Sequence, residues 1–179
     1  MNYFDLFPTI QYNLSGVVGD KKDVTDIWRK VKVRSKIANN LALYDSFDVP
    51  EGDSPETIAY KVYGSTDYFW VVCLLNNVQN RFYDWPLDEY NFQQFVADKY
   101  DNADGIHHYE KTQSSGQQKG QGPSDYSHKI EVNSDTLGAE AVSNIEYERR
   151  EQDKKRQIKL LNPSYLNNFI EEFKNLIKA

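Results

Sequence analysis

Residues Asp53 to Val78, DSPETIAYKVYGSTDYFWVVCLLNNV, hold the densest apolar run in the chain and most restrict what it can fold into. Ser54 is placed to N-cap a helix, with Pro55 at the first helical position, where its missing N–H costs nothing. Ile58, Ala59, Val62 and Tyr63 then share one face of a 3.6-residue repeat. Gly64 stands where a left-handed C-terminal residue is wanted. Ser65 or Thr66 recaps the chain, and Asp67 suits the positive end of a second helix. From Tyr68 to Leu75 the sequence YFWVVCLL is apolar on every side, which predicts a helix buried all round, closed by Asn76 and Asn77.

The flanks are more polar. Leu43 to Val49 alternates, with Leu43, Phe47 and Val49 on one face and Tyr44, Ser46 and Asp48 on the other, as in a half-buried strand. After Asn77, Arg81 to Leu87 is irregular or a short strand. Asp88 then caps a third helix with Phe92, Phe95, Val96 and Tyr100 on one side. Asp23 to Ala38 predicts a helix with Thr25 or Asp23 capping, Ile27, Trp28, Val31 and Val33 or Ile37 apolar, and a basic side from Lys21 to Lys36, solvated or turned to a partner. Met1 to Gly19 has no long period. Its aromatics, Tyr3, Phe4, Phe7 and Tyr12, either dock on a partner or pack back on their own domain.

Ile106–Lys111 and Tyr126–Val132 predict a hairpin with a long Gln/Ser/Gly-rich tip. Ala139 to Leu161 reads as a charged helix with favourable Glu146–Arg150 and Glu151–Lys155 pairs. Asn162-Pro163 stops it. Leu166, Phe169, Ile170, Phe173, Leu176 and Ile177 then form an apolar helical stripe that needs a partner, either the first domain or another chain. The fold class expected is α+β: an N-terminal arm (1–40), a strand–helix–helix–strand domain (41–100), a hairpin insertion (101–138) and a C-terminal helical hairpin (139–179).

The net charge of −6 argues against a dedicated nucleic-acid binder. A mean hydropathy of −0.75 implies a small core. With 13 Tyr, 9 Phe and 3 Trp, it points to a subunit that packs against others, because aromatic rings are enriched at interfaces. One Cys excludes an intramolecular disulfide framework. No signal peptide is expected, and the longest apolar run falls far short of the ~20 residues a membrane span needs.

A catalytic set is not visible. Cys73 lies mid-way along the most apolar helix, where a thiol is a small core residue rather than a nucleophile. His107 and His108 would point to opposite faces of a strand; His128, across the hairpin, is the other histidine weighed for a metal, against plain polar strand residues. Glu51, Asp53 and Glu56, like Asp101 and Asp104, flank turns and helix starts, where acids cap. Gly116, Gly120 and Gly122 lack the Gly-Lys-Ser/Thr of a phosphate loop. No cofactor fingerprint is present, and the chain reads as a non-enzyme.

Gly52-Asp53-Ser54, Ile58-Ala59, Tyr63-Gly64 and Asn76-Asn77 together resemble the LysM pattern. That likeness implies N-acetylglucosamine glycan binding in a groove using Asp53, Ser54, Asn77 and Asn80. The usual Pro-Gly-Gln-x-Leu approach to the second strand is missing; Trp85-Pro86-Leu87 stands near that place, and the loops offer no obvious stacking ring. A wider resemblance rests on four segments. They are Thr25-Asp26-Ile27-Trp28-Arg29, Tyr63-Gly64 before Tyr68-Phe69-Trp70, Tyr83-x-Trp85, and Arg156-Gln157-Ile158-Lys159 before the last apolar stripe. It is to the small baseplate wedge protein of T-even-type contractile-tail phages, and it is poorest over 101–138.

This second likeness implies a structural role in the virion, in multiple copies assembled in the host cytoplasm. Copies would clamp the wedge's helical core, link neighbouring wedges and prepare the platform for the sheath, with neither nucleic acid nor membrane as partner. Phe4, Phe7, Trp28, Tyr68, Trp70, Phe169 and Phe173 are the expected partner-binding residues, with affinity from buried aromatic anchors. The alternative is a peptidoglycan-binding module. A murein hydrolase is disfavoured for want of a poised acid or a zinc site.

Overall fold

The computed structural model describes residues 3–13, 15–32, 43–113 and 128–178, as two compact units. One unit comprises 1–85 and 156–179, and the other comprises 86–155.

The first unit is built on the helix pair. Helix α1 (Pro55–Tyr63) starts at Ser54, whose hydroxyl accepts the Thr57 N–H at 3.2 Å, and ends at Gly64 with φ +78°. Ser65 recaps by accepting from the Asp67 N–H at 3.2 Å, a 3₁₀ turn (Thr66–Tyr68) follows, and α2 spans Phe69–Leu75. Trp70, Val71 and Val72 are buried, whereas Phe69, Cys73, Leu74 and Leu75 are only partly so. A helix expected to be enclosed on every side is therefore only partly so.

Strand β3 (Tyr44–Asp48) forms as the alternation predicts, yet Tyr44, assigned to the wet face, is buried. Each face meets an apolar cluster, Tyr44 one and Phe47, with Val49 beyond the strand, another, while Asp45, Ser46 and Asp48 are exposed. The partner of β3 is the greater departure. Residues 81–87 do not supply it; Arg81–Asp84 is a single helical turn, α3, with the Phe82 N–H capped by the Asn80 side chain. Instead β7 (Gln157–Leu161) pairs antiparallel with β3, with Phe47 opposite Ile158. Asn76 helps hold β7 in place: its side-chain amide donates to the Lys159 carbonyl at 2.9 Å and accepts from the Lys159 N–H at 2.8 Å. A side chain thus makes the two-way exchange of a strand neighbour.

The expected helix from Asp23 is replaced, over its described part, by β2 (Lys22–Thr25), antiparallel to β1 (Thr9–Tyr12), and a turn at Ile27-Trp28. Val24 and Thr25 are β-branched and favour the pleated backbone. The Asp26 carboxylate accepts the Trp28 N–H at 3.3 Å, two residues on, so it closes a turn instead of capping a helix. Residues 33–38 of that expectation lie outside the described residues. The last helix, α6 (Leu166–Lys178), follows an Asn162-capped 3₁₀ turn and buries Leu166, Ile170, Phe173 and Ile177 within this unit.

The second unit holds α4 (Glu89–Lys99), capped by Asp88 as predicted, and a sheet of order β5-β4-β6. Strand β4 (Ile106–Thr112) pairs antiparallel with β5 (Lys129–Val132) and β6 (Glu140–Ser143). The hairpin forms; its tip, 114–127, lies outside the described residues. The charged helix is shorter than expected. Helix α5 (Asn144–Arg156) is flanked by strands β6 and β7, so both C-terminal helices are present with a strand between them.

Helix α5 has an unusual solution to its polarity, because the residues it buries are Glu148 and Gln152. Glu148 accepts from Lys99 Nζ at 2.6 Å and from the Tyr100 hydroxyl at 2.7 Å. Gln152 accepts the Leu87 N–H at 3.0 Å. Arg150 grips the buried Glu110 of β4 through both guanidinium ends, at 2.7 and 3.1 Å, and Lys129 joins them. These satisfied polar groups sit beside a small apolar set, Phe92, Val96 and Val142.

Candidate functional site

The aromatic residues singled out in the sequence fall into two groups. The 3₁₀ turn Tyr3–Leu6 lays Tyr3 and Phe7 onto the first unit's core. The Tyr3 ring lies 5.4 Å from Trp70 and 4.9 Å from Phe7, and Trp70 lies 4.6 Å from Phe173 and 6.2 Å from Phe169. Tyr68 packs edge-on to Tyr63 at 6.3 Å. Phe7, Trp70 and Phe173 are buried, Tyr68 and Phe169 partly so. Much of the surface of these five rings is used inside the chain, because a small core needs its largest rings. For the N-terminal aromatics, packing back wins for Tyr3 and Phe7.

Phe4 and Trp28 differ. Phe4 leans on Tyr3 at 5.3 Å but remains 59% exposed. Trp28 is 87% exposed, on a turn fixed from both sides. Arg29 pairs with Asp26 at 3.1 Å and donates to the Ile177 carbonyl at 3.1 Å, near the negative end of α6. Val31, half-buried, packs against the same core. A large indole is thus held out in water by a restrained backbone. Elsewhere on the ribbon and its loops, Ile10, Tyr12, Val17, Val18 and Ile27 are exposed as well.

The first loop of the implied glycan groove is held by Trp85, whose indole donates to the Asp53 carbonyl at 2.8 Å. The Asp53 carboxylate is held by Lys61 at 2.6 Å, and the Ser54 and Asn80 side chains are occupied as helix caps. Asn77 is exposed, with φ +54°. The same region shows two rings that sequence reasoning passed over: Phe82 and Tyr83 of α3 are strongly exposed. Arg81 pairs with Glu56 at 3.3 Å, so α3 lies beside the start of α1.

The histidines also differ from expectation. A bulge between Ile106 and His108 breaks the alternation of β4, and the Nδ1 atoms of His107 and His108 come within 2.9 Å. His107 stacks on Tyr147 at 3.9 Å. His128 is elsewhere, its carbonyl accepting the Gln113 N–H. Among the described residues, no three His, Cys, Asp or Glu side chains group to hold a metal ion. Burial pushes the Cys73 thiol up to about 11, with the Glu56 charge adding to the shift and Arg81 opposing it. No described helix is long and apolar enough to cross a membrane.

A mixed α/β protein with an aromatic core, a bare aromatic fringe and polar groups engaged mainly in capping and pairing is suited to a structural role. Comparison places it: the family model described as base plate wedge protein 53 matches residues 2–119, well over half of the chain, and the chain belongs to that family of phage proteins. It is a structural component of the tail baseplate of the virion, where it meets other baseplate components. The matched span includes the β1–β2 ribbon and the helix pair; β7 and α6, which complete the first unit, lie beyond it. Among curated proteins, none matches the chain.

Proposed function

We propose that this chain clamps the helical core of a baseplate wedge and links it to neighbouring wedges, in several copies per virion, before the sheath platform forms. The role is one of binding, without catalysis or cofactor, and the chain joins the baseplate in the host cytoplasm. Residues 1–40 act as the arm that meets a partner, with Phe4 and Trp28 as its anchors. The observation that carries the reading is the 87% exposure of Trp28 on a turn held by Asp26 and by the end of α6. Restrained, bare aromatic residues are the ones that contribute most when an interface closes, since little ordering entropy remains to be lost.

The test is incorporation into reconstituted baseplates. Trp28→Ala should keep its folding stability and lose about 2 kcal/mol of binding, roughly thirty-fold in affinity. Undiminished incorporation of a Trp28→Ala, Phe4→Ala chain would overturn the reading. Deleting everything after Asn162 is a poor test, because α6 carries core residues of the first unit.

One observation favours a second reading, a LysM-type glycan module. The exposed rings of Phe82 and Tyr83 beside the Asp53–Ser54 loop supply the stacking surface a sugar needs. Salt-resistant retention of the whole chain on insoluble peptidoglycan, lost in Phe82→Ala, would support it.

A further inference from the structure

The β1–β2 ribbon is anchored at its base and bare beyond it. Leu6 and Phe7 are buried immediately before β1, Asp26 N–H donates to the Pro8 carbonyl at 2.9 Å, and Arg29 and Val31 fix the chain after β2. All four residues of β1 are exposed, as are three of the four in β2. At the far end Val18 is 99% exposed. A two-stranded ribbon with neither face covered is marginal in water by itself, and among the described residues each of its strands has one edge that pairs with no further strand.

Its charge is opposite to that of the whole. From Thr9 to Lys32 the chain carries five Lys or Arg against three Asp, in a protein of net charge −6. Lys21, Lys22, Lys30 and Lys32 are all exposed. We propose that the ribbon is a docking arm for an extended acidic segment of another baseplate protein. That segment adds along an open edge by main-chain hydrogen bonds, with its carboxylates against these lysines. The inference rests on the wedge-linking reading and names the chemistry of one of its contacts. A nucleic-acid strand fits less well: Asp20 and Asp23 stand among the lysines and would repel phosphate, and the chain as a whole is acidic.

The experiment places a photoreactive phenylalanine at Val18 in the full chain, irradiates assembled baseplates and maps the cross-linked peptide by mass spectrometry. The expected product joins Val18 to an acid-rich segment of a different baseplate protein. The yield per incorporated chain should fall at least ten-fold when Lys21→Glu and Lys22→Glu are added. A folded charge-reversed chain excluded from baseplates would support the inference equally. It is overturned by cross-links to nucleic acid, to lipid or to a second copy of this chain, by no intermolecular cross-link, or by a yield indifferent to charge reversal. In each of those cases normal incorporation leaves the wedge reading standing; a wild-type chain that never enters the baseplate overturns both.

Discussion

The ring of Phe173 in the last helix lies 4.6 Å from that of Trp70 in the second helix of the pair. Tyr3, near the start of the chain, lies 6.0 Å from the same Phe173. Three segments distant in sequence therefore share one aromatic cluster. Its contacts are what make the terminal segments part of the folded unit.

Phe173→Ala should therefore be costly. Removing a buried aromatic ring loses its transfer free energy and leaves a cavity, about 3–5 kcal/mol in all. Denaturant unfolding should show that loss, whereas Trp28→Ala should change stability by less than about 0.5 kcal/mol, since its indole is already in water. Equal effects of the two substitutions would refute the division between core and fringe.

The helix pair was legible because its signals are local. Ser54, Pro55, Gly64 and Ser65 act within a turn of their own backbone, and each does what its residue type predicts. The strand that completes the pair was hidden by sequence distance: β7 pairs with β3 across more than a hundred residues. A local signal for it existed, since Ile158 and Leu160 alternate with Gln157 and Lys159, but it directly follows a charged helical run and was absorbed into it. The segment from Asp23 illustrates the other failure. Asp23 and Thr25, the expected helix caps, lie instead in β2, and its pairing with β1 decides against the helix. For the candidate surface, residue type singled out the aromatic rings but not which of them face inward. The stripe on α6 was evident; which of its two possible partners covers it, the chain's own core, was not.

Tyr44 offers an opposite prediction. Its ring is buried in the core, and among the described residues its hydroxyl has no hydrogen-bond partner. Burial, and then the nearby charge of Glu172, push its ionisation above the usual tyrosine value. An unsatisfied buried hydroxyl costs about 1–3 kcal/mol. Tyr44→Phe should thus raise the unfolding midpoint in urea, by about 1 kcal/mol of stability; a fall of that size would show that the hydroxyl is engaged.

Cys73 should be slow to alkylate. With its thiol pushed up to about 11, chiefly by burial, only about one molecule in a thousand carries a thiolate at pH 8, and the thiolate is the nucleophile. Iodoacetamide labelling of the native protein should lag that of urea-unfolded protein by roughly two orders of magnitude or more. Comparable rates would place the thiol in a more open, electropositive setting.

Acid should weaken the second unit through its buried carboxylates. Hydrogen bonds from Arg150 hold Glu110 down at about 2; burial opposes the shift and Lys129 adds to it. Burial likewise pushes Glu148 up, yet the hydrogen bonds from Lys99 and Tyr100 keep it below its usual value. Both folded-state values are depressed relative to an unfolded carboxyl. Their contribution is therefore fully present above about pH 4.5 and is lost as pH falls through that value towards about 2. Hydrogen exchange in β4 and β5 should accelerate over this window. In Glu110→Gln the amide cannot titrate, so the variant should be less stable at pH 7 and less sensitive to acid between those limits. An unchanged acid response in that variant would show that the Glu110–Arg150 pair does not hold the sheet to α5.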